Sequence, residues 1–97
     1  HYSDNFFDAV LCANDMLAAG VINAAIKLKL KIPEELSVIG YDNSLIAECT
    51  APKLTSLNNN VSKLAEITSD NIKEYFNNKE IDKNCIIPFN LIKRETF

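Results

Sequence analysis

Two polar pairs, Asn14-Asp15 and Asp42-Asn43, stand directly after the apolar runs Ala9 to Ala13 and Leu36 to Tyr41. A carboxylate accepts two hydrogen bonds at once, whereas an amide both donates and accepts. Delivered to one crevice, an Asn and an Asp suit a vicinal diol, whose hydroxyls offer donors and lone pairs together. The same residues have a plainer reading, in which Asn14 or Asp15 caps the helix that follows and Asp42-Asn43 makes a turn. Asp15 and Asp42 could also be imagined as the paired carboxylates of a glycoside hydrolase, but no second signature accompanies them.

Other reactive side chains are few. Cys12, Cys49 and Cys85 are far apart in the chain, and no pair has the close spacing of a zinc or redox motif. They read as buried or half-buried free thiols, which suits a reducing, cytoplasmic compartment. His1 is the one histidine, so these residues cannot assemble a Ser-His-Asp triad or a histidine metal site by themselves. No catalytic residue, metal ligand or cofactor is expected. The formal net charge is −3 and Arg94 is the one arginine, which argues against gripping a phosphate backbone unaided. With 47% apolar and 24% charged residues the composition is that of a globular chain. Its apolar runs are too short to span a bilayer.

The elements that must position the polar pairs can be read from periodicity. Ala9 to Ala13 and Leu36 to Tyr41 have the composition of strands buried on both faces. Between them, Met16 to about Leu28 is helical in pattern. Leu17, Val21, Ala24 and Leu28 line one face, and Ala18, Ile22, Ala25 and Ile26 widen it. So broad a stripe predicts packing on two neighbours, either the sheet and a second helix of the same chain or one neighbour in another chain. Ser44 to Cys49 predicts one or two helical turns, Leu54 to Leu57 a third strand, and Val61 to Phe76 a second long helix. A last strand is expected from Cys85 to about Arg94, with Pro88 marking an edge or a bend. Strand–helix–strand order with short links predicts an α/β fold, a mostly parallel sheet with flanking helices. In such sheets ligands bind beyond the carboxyl ends of the strands, where both polar pairs fall.

Four blocks in the right order resemble the lac repressor/galactose repressor (LacI/GalR) family. The run Ala9-Val10-Leu11-Cys12-Ala13-Asn14-Asp15-Met16-Leu17-Ala18-Ala19-Gly20 is similar to its "ND-x-(M/L)-A-x-G" stretch. Ile32 to Asn43, IPEELSVIGYDN, resembles its "VPEDISVIGYDN" signature. Pro52-Lys53-Leu54-Thr55-Ser56 resembles "P-x-LTT", and Leu91 to Thr96 resembles the closing "L-I-x-R-x-S/T".

The resemblance implies the C-terminal part of a periplasmic-binding-protein-like effector-binding domain, with incomplete lobes. Residues 9–57 and 89–97 would belong to the C-terminal lobe and residues 61–84 to the N-terminal lobe, the chain crossing near Leu57 to Asn60 and near Pro88. The DNA-binding headpiece is absent from these residues. By resemblance Asn14 and Asp42 hydrogen-bond a small-molecule effector, a sugar, and Asn59 stands where the family often has Gln. Ala19 and Thr50 fall in the family's dimer interface. The implied partners are the effector, a second copy and, only through the missing headpiece, operator DNA; no membrane is implied. A sugar-uptake binding protein of the same fold is the alternative. Two positions depart from the family: Lys29 replaces a helix-ending Gly, and Ala65 a frequent Gly inside the second long helix. Since the chain is short, a helix whose partners lie in another lobe should leave apolar surface uncovered, drive dimerisation or rearrange.

Overall fold

The register of the strands brings the polar pairs to one end of the molecule. Among the described residues of the computed structural model seven elements follow one another. They are β1 (Ala9–Leu11), α1 (Asp15–Lys27), β2 (Ser37–Tyr41), α2 (Leu45–Cys49), β3 (Thr55–Asn58), α3 (Val61–Phe76) and β4 (Asn90–Ile92). The structure describes residues 7–81 and 84–97; residues 1–6 and 82–83, and with them His1 and part of the 61–84 stretch, lie outside it. The strands form one sheet in the order β1-β2-β3-β4. β1, β2 and β3 are parallel and β4 is antiparallel to β3, so the expected mostly parallel α/β sheet is present. Leu11 lies opposite Ile39, and Tyr41 opposite Leu57.

The core sits between α1 and the sheet. Ala18, Ile22 and Ala25 of α1 meet Cys12, Leu36, Val38, Ala47 and Leu54, with Leu30 and Ile32 packed at the margin. That inward face is the row expected to widen the stripe, while the row expected to line it stays largely out. Leu17 remains 56% exposed and Leu28 is exposed as well, while the smaller Ala18, Ile22, Ala25 row is buried. The roll of the helix is set at its first residue. Asp15 is buried, and residues three, seven and ten positions later necessarily share its face.

Three further expectations change. β1 is not buried on both faces: Ala9 and Leu11 are exposed, because β1 is an edge strand covered on one side only. It also ends at Leu11, the Cys12 N–H making a last bond to Ile39 O at 2.8 Å. The final strand covers only Asn90–Ile92, since Pro88 has no N–H to give a ladder and residues 85–89 stay outside the sheet. Of the thiols, Cys12 is buried but Cys49 and Cys85 are exposed, the first ending the short α2 and the second preceding β4.

Lys29 ends α1 in the place where the family carries glycine. The Leu30 N–H reaches Ala25 O at 2.9 Å and the Lys29 N–H reaches Ile26 O at 3.0 Å, the two reversed bonds of a Schellman cap. This geometry holds Lys29 at φ 59, a left-handed conformation that crowds any Cβ. The helix therefore stops where glycine would stop it, with strain in place of glycine's freedom.

α3 forms over the expected residues but buries none of them. Val61, Leu64, Ile72, Tyr75 and Phe76 are exposed large hydrophobics. The radius of gyration is 18.1 Å and the longest extent 61 Å, against about 13 Å of gyration radius for a compact chain of this size. α3 thus stands away from the sheet with its apolar stripe uncovered.

Lys29→Gly should stabilise the chain by about 1 kcal/mol, by relieving the left-handed residue, less what glycine adds to unfolded-chain entropy. Urea denaturation with an unchanged m value checks it.

Candidate functional site

The carboxyl ends of β1, β2 and β3 carry the candidate residues, and each end is shaped by a different device. At the first, Asn14 is extended, φ −157, and its Oδ1 accepts the Leu17 N–H at 2.9 Å. The capping reading therefore holds for Asn14. A cap of this kind engages the amide oxygen and leaves the chemistry of the NH2 group to other partners.

Asp15 is 2% exposed and lies under the site rather than in it. Its Oδ2 accepts the Ser44 N–H at 2.6 Å and the Ser44 hydroxyl at 2.8 Å, and its Oδ1 accepts the Ser56 hydroxyl at 2.6 Å. Three short bonds to an anion, placed at the positive end of α1, compensate the burial of the charge. The close fit explains Gly40. A Cβ there would overlap Asp15 Oδ1 and stand 2.8 Å from Leu54 Cδ2. Since Asp15 is enclosed and fully engaged, it cannot serve as one of two hydrolytic carboxylates beside Asp42.

The second end, Asp42-Asn43-Ser44, is a turn fixed at every N–H. Asp42 N–H donates to Leu57 O at 2.9 Å, Asn43 N–H to the Ser56 hydroxyl at 2.9 Å, and Ser44 N–H to Asp15. Asp42 and Asn43 both have positive φ, 104 and 50. The Asp42 side chain is exposed, and its Oδ1 accepts the Asn59 amide at 3.1 Å. Asn59, at the third end, has its own Oδ1 out of solvent and without a hydrogen-bond partner among the described residues.

The structure thus brings Asp42 and Asn59 into contact. It places Asn14 on the neighbouring strand end, three residues past Leu11 as Asp42 is three past the paired Ile39. The Asp15–Ser44 bonds clasp the two loops together. A cleft of about 560 Å³ opens beside Asp42, Asn43, Asn58 and Asn60, and a recess of about 300 Å³ beside Tyr41, Asn59, Leu64 and Phe89. Polar groups beside apolar and aromatic walls are what a sugar presents in reverse, hydroxyls on its rim and C–H groups on its faces. Ala19 and Thr50 are half-buried on α1 and at the end of α2, two helices that pack side by side.

Sequence reasoning missed Ser44, Ser56, Thr96 and the structural use of Arg94. Gly40 carried the available signal, since glycine inside a strand marks close approach by another group. The C-terminal residues work as a strap. The Thr96 hydroxyl donates to Val38 O at 2.6 Å and accepts the Thr55 N–H at 2.9 Å. Arg94 donates to Leu54 O at 2.7 Å and to Asn43 Oδ1 at 2.6 Å. Among the described residues no group of three or more His, Cys, Asp or Glu could hold a metal ion, and no helix is long and apolar enough to cross a membrane.

Residues 4–97 match the model of the periplasmic binding protein-like domain. The chain belongs to that family. An HTH-type transcriptional regulator of Lachnoclostridium phytofermentans is 37% identical over 93% of the chain and 27% of its own length. The lactose operon repressor of Escherichia coli is 30% identical over 91% of the chain and 24% of its own length. A periplasmic binding protein/LacI transcriptional regulator from Alkaliphilus metalliredigens, solved with D-xylulofuranose, superposes with a TM-score of 0.85 at 34% identity. That superposition covers 93% of this chain and 34% of the other. The resemblance to LacI-type regulators read from the four sequence blocks is borne out, and the chain spans about a quarter of the curated relatives' length.

Gly40→Ala should cost about 3 kcal/mol or more, because backbone and a buried carboxylate cannot both give way. Ser56→Ala should cost about 2 kcal/mol by leaving Asp15 short of a donor. Denaturant midpoints compare the two. Burial raises the Cys12 thiol above its usual pKa, so less of it is thiolate at any pH. With a thiol-exchange reagent at pH 8, Cys49 and Cys85 should react at once and Cys12 much more slowly; three equal rates would contradict the buried position.

Proposed function

We propose that this chain is the effector-sensing, dimerising portion of a sugar-responsive transcriptional regulator. The observation that carries the reading is the clasp of Asp15 on Ser44, which holds the loop bearing Asn14 beside the loop bearing Asp42. Asn14, Asp42 and Asn59 would receive the hydroxyls of a sugar; the Alkaliphilus relative's sugar complex supports that ligand class. Asn59 already bonds Asp42, so a bound hydroxyl would enter an existing pair rather than an empty gap.

Residues 9–57 and 89–97 would form part of one lobe and residues 61–84 part of the other. The uncovered stripe of α3 supports this division, because an apolar face on a 16-residue helix needs a partner that the sheet does not supply. The Asn60 side-chain amide donates to Pro88 O, tying together the two segments where the chain would cross. A ligand held between lobes shifts their arrangement only by the difference in its affinity for the open and closed forms. The exposed Met16 and Ile26, three residues before and seven after Ala19, give α1 a second apolar face around that residue, which supports a two-copy assembly around Ala19 and Thr50. Operator binding would need a separate headpiece, and the cytoplasm would be its compartment. The transcriptional regulators among the relatives favour this reading over sugar uptake, and over an enzyme.

In the full-length protein, a sugar that fits should raise the melting temperature, D-xylulose being the first to try. Asp42→Asn removes the charge, and Asn14→Asp keeps the helix cap while removing the amide donor. Each should weaken sugar binding roughly 10- to 100-fold, the worth of one hydrogen bond to a charged or buried group. If both variants bind the sugar as the wild type does, the site is elsewhere.

A further inference from the structure

The turn that presents Asp42 is strained, and its strain has an identifiable holder. Asp42 and Asn43 are consecutive non-glycine residues with φ 104 and φ 50. Each such residue is disfavoured by about 1–2 kcal/mol and persists only where its surroundings over-determine it. The three N–H groups of the turn are fixed by Leu57, Ser56 and Asp15. The side chain of Asn43 is fixed by Arg94, whose Nη2 donates to Asn43 Oδ1 at 2.6 Å.

Arg94 is itself immobilised at both ends. Its backbone N–H donates to the Thr55 hydroxyl at 2.8 Å, and its Nη1 donates to Leu54 O at 2.7 Å. Nη2 also lies 3.9 Å from Glu48 Oε1 on α2, and the Arg94 side chain is only 13% exposed. One guanidinium therefore bonds the entry to β3 and the turn beside Asp42, and lies near the exposed carboxylate of Glu48 on the helix that ends at Cys49. A planar fork can direct two bonds to two elements at fixed angles, which the single ammonium of lysine cannot.

We propose that Arg94 is the positioning residue of the effector site: through Asn43 it sets the backbone that aims the Asp42 carboxylate, and through Glu48 it couples that setting to α2. The inference rests on the effector-binding reading above and adds to it the route by which occupancy at Asp42 reaches the helix next to the proposed interface. A ligand that draws Asp42 through its backbone turns Asn43 with it, and the Arg94 bond resists or transmits that turn.

The test uses the full-length protein with Arg94→Lys, Asn43→Gly and the double variant. Hydrogen exchange read by mass spectrometry is combined with calorimetric titration of D-xylulose. Each single variant should speed exchange across residues 42–50 about tenfold while α1 keeps its protection, and should raise the sugar dissociation constant about tenfold. The double variant should lie close to Arg94→Lys alone, since the Arg94–Asn43 bond can be lost only once. Asn43→Gly is unstrained at φ 50, so it carries the test should Arg94→Lys not fold. Exchange that rises evenly over α1 and residues 42–50 would reduce Arg94 to a general stabiliser and overturn the proposal. So would local loosening with sugar affinity within twofold of the wild type. A wild type whose melting temperature no sugar raises, D-xylulose included, overturns the effector reading and the ligand half of this one, while the exchange response still decides whether Arg94 holds the turn.

Discussion

A buried carboxylate with no ion-pair partner among the described residues must find its compensation in dipoles, and the arrangement of this molecule follows from where Asp15 finds them. Its donors come from Ser44 on the β2–α2 loop and Ser56 on β3, with the N-terminus of α1 behind it. Those bonds span three successive units of the fold. They fix the roll of α1, which buries Ala18, Ile22 and Ala25 in preference to the larger Leu17 and Leu28. They require glycine at position 40. They also hold the loops of Asn14 and Asp42 side by side, so the geometry of the proposed site depends on a residue that takes no part in it.

Around that anchor the β2–α2 turn is held from several directions. Its N–H groups end on Leu57, Ser56 and Asp15, and its Asn43 side chain ends on Arg94. The C-terminal strap closes the arrangement: Thr96 exchanges bonds with Val38 and Thr55, and Glu95 with Lys53. Residues far apart in sequence thus meet across the sheet, the strap at the start of β2 and β3 and the turn at their carboxyl ends, and little of their role shows in any local window. Sites held this firmly suit a binder that must register small displacements, because a stiff turn passes motion on where a loose one absorbs it.

The sequence was most legible where local rules and tertiary demands agree. The helix over Val61 to Phe76, the turn of helix after Ser44 and the strand around Val38 follow from apolar pattern and the stop at Pro52. The pairs Asn14-Asp15 and Asp42-Asn43 were readable as strand-end residues, but not the division of labour between them. Asn14 both caps and faces the strand ends, Asp15 goes under, and Asp42 stays out. That sorting depends on which donors lie below the loop, a fact of assembly rather than of spacing. Which row of the α1 stripe turns inward is hidden from the sequence for the same reason, since side-chain size favours Leu17 where the Asp15 anchor imposes Ala18. β4 was overextended because residues 85–87 look like strand, although Pro88 denies the ladder its donor.

α3 carries a consequence of its own. Nucleating a helix is unfavourable, and segments of this length are only marginally helical in water without tertiary contact. With none of its side chains buried, α3 draws little cohesion from the body it hangs on. Whatever surface comes to lie along Val61, Leu64 and Ile72 would supply the missing free energy, so docking and coil-to-helix ordering become one event. The molecule then consists of a self-sufficient half and a conditional half, and far-ultraviolet dichroism of the second half would act as a gauge of occupancy by its partner.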